Sequence, residues 1–110
     1  MFKKAEIRKI TWPVKIAVPH DGGTVREHEM DVELEILDQD VHDELLEARG
    51  DLLARVVRGW GRYKQEDGQT DVQFTDEEKT AFLKKPYVRI ALLRGYYEAS
   101  QGRKAERKNG

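Results

Sequence analysis

Two period-two alternations joined by a glycine turn limit the fold more than any other feature of the chain. Val14, Ile16 and Val18 alternate with Pro13, Lys15 and Ala17. After Pro19-His20-Asp21-Gly22-Gly23-Thr24, a second run sets Met30, Val32, Leu34 and Ile36 against Asp31, Glu33 and Glu35. Successive side chains on a strand point to opposite faces, so each run has one apolar and one polar face. Asp-Gly-Gly tolerates the backbone of a tight connection between them. The pattern predicts an antiparallel hairpin with one buried and one wet face. Ala5 to Trp12 is a candidate third strand, bounded by Pro13, which has no N–H to give to a ladder.

After Asp38 the period lengthens. Val41, Leu45 and Ala48 follow helical spacing and Gly50 is a natural stop. Asp51 can cap a second helix in which Leu52, Leu53, Val56, Val57 and Trp60 form one apolar stripe. Gly59 and Gly61 predict that the chain leaves this helix sharply at Trp60, with the indole folded over the core as a packing anchor. Tyr63 and then Glu66-Asp67-Gly68-Gln69 read as a polar turn.

Beyond Phe74, Thr75-Asp76-Glu77-Glu78 has the Thr-x-x-Glu form of a capping box, with acidic residues where the helix dipole favours them. Pro86 ends that helix or restarts it at its first turn. In the last helix, Val88, Ala91, Leu92, Gly95, Tyr96 and Ala99 make an inward stripe, with Gly95 permitting close backbone approach. Ile90, Leu93 and Tyr97 point roughly 180° away when each residue turns about 100°. Either the helix is sandwiched between the sheet and other helices, or this second strip, with Tyr87 and Arg94 beside it, is exposed to a partner or another copy.

The expected organisation is one α+β domain over residues 1–102. An N-terminal antiparallel β-hairpin or small three-stranded sheet (about 5–37) precedes four to five short helices (about 39–102), and 103–110 form a basic flexible tail. At 110 residues there is room for one modest core. Charged residues make up 37% and hydrophobic residues 38%, with a net charge of -1, which suits a folded, polar-surfaced domain. Glu27 to Asp51 is rich in carboxylates, whereas Arg55 to Arg94 and the tail lean basic. This asymmetry reads mainly as solvated faces on opposite elements, and alternatively as steering toward a charged partner or head-to-tail self-association. The chain has no cysteine, so disulfides, thiolate metal sites and thiol nucleophiles are excluded, in keeping with a cytoplasmic protein. No window approaches the roughly 18 apolar residues of a membrane span, so secretion and membrane insertion are not expected.

His20, His28 and His42 have no metal-site spacing. Gly22-Gly23 and Gly59-Trp60-Gly61 do not match a phosphate-binding loop, and a Ca²⁺ loop lacks its glycine-centred acidic spacing. The acidic alternation Glu27, Glu29, Asp31, Glu33, Glu35 is the wet face of a strand rather than a sheltered catalytic pair. Neither an enzyme nor a cofactor is expected. A pI near 6.3 argues against nucleic acid, for which only the short tail speaks.

The order of these features resembles the tail assembly chaperones of long-tailed bacteriophages. The resemblance rests on Trp60-Gly61 after an aliphatic run, the Gln65-Glu66-Asp67-Gly68 link and Val72-x-Phe74-Thr75 before an acidic helix start. It continues through Pro86-x-Val88 followed by Ala91, Tyr96 and Ala99, and ends at Arg107-Lys108-Asn109. It implies a non-enzymatic α+β protein of a phage or prophage tail module that works in the host cytoplasm. Such a protein binds the tape measure protein and the tail tube protein and keeps the former soluble. The Ile90, Leu93, Tyr97 strip with Tyr87 and Arg94 is the candidate partner surface; Trp60, Phe74, Thr75, Pro86 and Gly95 are structural anchors. The alternatives are a ring-forming tail component such as a tail terminator or head-tail connector, in which a homo-oligomer is the function, and a small nucleic-acid-binding regulator.

Overall fold

The computed structural model describes residues 9–105. Strands β1 (Lys9–His20) and β2 (Thr24–Glu35) pair antiparallel from Lys9↔Glu35 to His20↔Thr24. One 3-10 turn, Asp21–Gly23, joins them, and both of its glycines hold positive φ, 80° and 78°. Val14, Ile16, Met30, Val32 and Leu34 are buried on one face, as the alternation predicts. The predicted third strand is different. Residues 5–8 lie outside the described residues, and residues 9–12 belong to β1, which runs through Pro13 without a break. The proline is tolerated because β1 lies at the edge of the sheet, whose order is β1-β2-β3.

The observed third strand is β3 (Val57–Gly61), which the sequence reading placed in a helix. Only Leu52–Val56 is helical (α2), with Asp51 Oδ1 accepting from the N–H groups of Leu53 and Ala54. The chain then turns into β3 and pairs antiparallel with β2, placing Val57 opposite Leu34 and Trp60 opposite Val32. The register shifts between Glu33 and Leu34, so β3 carries an extra residue at Arg58. That bulge sends Val57 and Trp60, three residues apart, to the same face, imitating the i, i+3 spacing of a helix. β-branched Val56-Val57 followed by Gly59 and Gly61 favours the strand.

The remaining helices are α1 (Gln39–Glu47), α3 (Asp76–Leu83) and α4 (Pro86–Ser100). Among the described residues the fold is therefore α+β, a three-stranded antiparallel sheet with four helices. Helix α1 ends in a Schellman motif: Arg49 N–H donates to Leu46 O at 3.0 Å and Gly50 N–H to Leu45 O at 2.9 Å. The left-handed residue is Arg49 (φ 56°), one position before the glycine expected as the stop. Gly50 is needed for space, since a Cβ there would lie 2.3 Å from Leu45 Cδ1. At α3, Thr75 Oγ1 accepts from Glu78 N–H at 3.1 Å, and Pro86 occupies the first turn of α4, where a missing N–H costs nothing.

The core lies between the apolar face of the sheet and the helices. Helix α4 packs on β1 through Gly95, where a Cβ would lie 3.1 Å from Val14 Cγ2 and 3.5 Å from Trp12 Cδ1. Leu92 and Tyr96 beside it are fully buried, and Tyr96 Oη accepts from Leu37 N–H at 3.2 Å. At the other end, Trp60 stands edge-on to Tyr63, Phe74 and Phe82 at 4.7–5.1 Å between ring centres. Its indole N–H donates to Val72 O at 2.8 Å. Trp60 and Phe74 thus tie the polar 62–75 segment to the core.

Candidate partner-binding surface

The inward stripe of α4 is buried at Val88, Ala91, Leu92, Gly95 and Tyr96. The opposite strip does not behave as one surface. Ile90 is 62% exposed and Arg94 is exposed, while Tyr87, Leu93 and Tyr97 are half-buried and pack against the core. Ile90, Tyr87 and Arg94 border a cleft of about 260 Å³ shared with Lys15, Ala17 and Glu27 of the hairpin. The far end of the strip lies under α1. There His42 Nε2 sits 2.7 Å from Tyr97 Oη, the two rings meeting edge-to-face at 5.8 Å. His42 Nδ1 is 3.2 Å from Asp43 Oδ1. The neutral tautomer with its proton on Nδ1 satisfies both, donating to Asp43 and accepting from Tyr97. The hydrogen bond from His42, aided by Gln39, holds the Asp43 carboxyl below the ordinary aspartate value.

A larger groove, about 560 Å³, opens on the apolar face of the hairpin. It exists because the hairpin outruns its cover: β3 pairs only with Asp31 to Leu34, whereas the β1–β2 ladder continues to the turn. Ile16, Val18 and Met30 of the hairpin line it together with Tyr63, Phe82, Tyr87 and Val88 from the later segments. Charged groups reach its rim from separate segments. Arg62 holds a positive φ of 58° and forks onto Asp31 at 2.8 and 2.9 Å, with a further bond to Glu29 at 3.1 Å. These two carboxylates push the Arg62 guanidinium further above its already high value. Lys64 pairs with Asp71, and Lys85 sits at the α3–α4 junction.

The polar face of the sheet is the second charged feature. Its acidic central row is flanked by cations, with Lys9 on Glu33 at 3.2 Å, Lys15 on Glu27 at 3.3 Å and Arg55 on Glu35 at 2.7 Å. The acidic and basic stretches of the sequence therefore meet in ion pairs on one face, rather than on opposite elements. Exposed pairs of this kind contribute about 0–1 kcal/mol each. Arg58 within β3, Arg55 at the end of α2 before it and Arg62 just after it were the signal that this segment lies beside the acidic strand.

The sequence reading found the α4 strip but not the groove, because only Tyr87 belongs to both. Among the described residues no group of three or more His, Asp or Glu is placed to hold a metal ion. No helix among them is long and apolar enough to cross a membrane. Compared with models of protein families, with curated proteins and with solved structures, the chain matches none.

Proposed function

We propose that the protein is a non-enzymatic assembly chaperone of a long-tailed phage or prophage, acting in the bacterial cytoplasm. In this reading it binds the tape measure protein and helps to recruit tail tube subunits. The observation that carries the reading is the outer face of α4, where Ile90 stands 62% exposed beside Tyr87 and Arg94 on an otherwise well-buried helix. A helical client with bare apolar faces needs a complementary apolar surface on its carrier, and anchors at helical spacing are the usual means. Tyr87 and Arg94 are the residue types that dominate such contacts. Leu93 and Tyr97 extend the strip toward α1.

The test is co-expression with the tape measure and tail tube proteins of the same genome, pulling on an N-terminal tag of this chain. Soluble tape measure protein should be captured. Ile90→Asp should abolish capture while its stability stays within about 0.5 kcal/mol of wild type, as for an exposed substitution. If the wild type captures nothing and light scattering shows a discrete ring, the reading gives way to a structural tail component.

A further inference from the structure

We propose that Pro13 and Pro19 keep the outer edge of β1 from pairing with the same edge of a second copy of this chain. β1 is the long edge of the sheet, 12 residues against 5 in β3, whose own pairing is interrupted by the bulge. An edge of that length is a template for another strand wherever its row of N–H and C=O groups runs unbroken. Among the described residues no strand lies beyond it.

The direction of the prolines follows from the register. Asp31 lies opposite Pro13 on one side and Gly61 on the other. The main-chain groups of a residue in a central strand point to one neighbour, and the direction alternates along the strand. Pro13 has no N–H for the Asp31 carbonyl, so Asp31 bonds to Gly61 and the main chain of Pro13 points away from β2. Pro19 has the same parity and shares that direction, as do positions 9, 11, 15 and 17. Both rings therefore stand on the free edge. They split its outward N–H groups into two short sets, at 9 and 11 and at 15 and 17. Every antiparallel pairing of β1 with its copy over more than about five residues then sets a proline against the partner strand.

The place of this edge gives the block its consequence. Ala17 lines the cleft of about 260 Å³ together with Tyr87, Ile90 and Arg94 of α4. A second copy paired along β1 would cover that cleft, and with it Ile90, at 62% the most exposed large hydrophobic residue among those described. On the reading that Ile90 faces a client, the prolines hold the chain monomeric and leave that face to the client. The block itself follows from the sheet alone.

The test compares the full-length chain with Pro13→Thr/Pro19→Thr by light scattering and amide exchange across a dilution series. Threonine favours a strand and returns an N–H that points away from β2, so the β1–β2 ladder is kept. The wild type should scatter as a monomer of 12.8 kDa. The double variant should reach twice that mass and slow exchange at the Thr11 and Ala17 amides by about tenfold or more. Adding Thr11→Pro and Ala17→Pro, which moves both blocks to neighbouring exposed positions of the same direction, should restore the monomer. A double variant that stays monomeric, a wild type already paired through slowly exchanging β1 amides, or a dimer that survives the relocated prolines would overturn the proposal. No client is present in the assay, so failure to capture the tape measure protein would remove the functional reading and leave this result standing.

Discussion

Replacing Arg49 by glycine should raise the stability of the protein, and the structure sets the size of the gain. Arg49 holds φ 56° at the end of α1, a left-handed backbone that costs an L-residue roughly 1–2 kcal/mol. Its side chain is exposed and makes no hydrogen bond or ion pair among the described residues, so nothing is lost with it. Glycine adopts that backbone freely but gives up roughly 0.5–1 kcal/mol more conformational entropy on folding. The balance is a gain of about 0.5–1 kcal/mol, or about 2–4 °C in melting temperature for a domain of this size. Gly50→Ala is the companion. Its Cβ would meet Leu45 Cδ1 at 2.3 Å and the Leu45 carbonyl oxygen at 3.3 Å, so Leu45 must leave its packed position at a cost of about 1–3 kcal/mol. Thermal unfolding followed by circular dichroism reads both, and amide exchange at Arg49 and Gly50 localises the effect to the helix end. An Arg49→Gly protein melting at or below wild type, or a Gly50→Ala protein matching it, would refute the account.

The other expectations concern the core and the loop after β3. Gly95→Leu should destabilise by about 1–3 kcal/mol or more in denaturant titration, because Val14 leaves no room even for a Cβ without moving. Trp60→Phe keeps most of the ring contacts but leaves the Val72 carbonyl without its indole donor, which should cost about 1–3 kcal/mol. The Asp67 carboxylate accepts from the Thr70 hydroxyl and from the Thr70 and Gln69 N–H groups, which pull its pKa down to about 2. Since the unfolded value is about 3.9, the bound form stabilises the loop above that pH and the effect is lost as pH falls toward 2. NMR titration of the Gln69 and Thr70 amides should show that transition, and Asp67→Asn should remove it.

The parts of the fold that the sequence exposed are those fixed by neighbours along the chain. Alternation and the Asp21-Gly22-Gly23 turn specify the hairpin, Thr75 and Pro86 mark helix starts, and Gly95 marks the close approach of α4. The third strand was misread for a physical reason. A bulge at Arg58 puts Val57 and Trp60 on one face at a spacing that a helix shares, and only pairing with Leu34 and Val32 distinguishes the two. The groove was illegible because its surface joins Val18, Met30, Tyr63 and Tyr87, which no local pattern connects. The direction of the outer α4 strip was readable from the helical turn. Its partial covering was not, since α1 meets Tyr97 through His42, a polar residue that leaves no apolar signature.

If the outer face of α4 receives a client, as proposed, that contact sets a toll on recognition at this end of the molecule. Helix α1 has no fully buried residue, and Val41 and Leu46 on it remain 39% and 47% exposed, so it is the helix with the least holding it down. Any client that takes Tyr97 competes with His42 for the same hydroxyl. Its observed dissociation constant is then the intrinsic one divided by the fraction of molecules in which α1 has lifted. If one molecule in about a hundred is open, affinity falls about a hundredfold, and loosening α1 tightens binding with no new contact to the client. Changes in α1 that never touch a partner can therefore tune how firmly it is held.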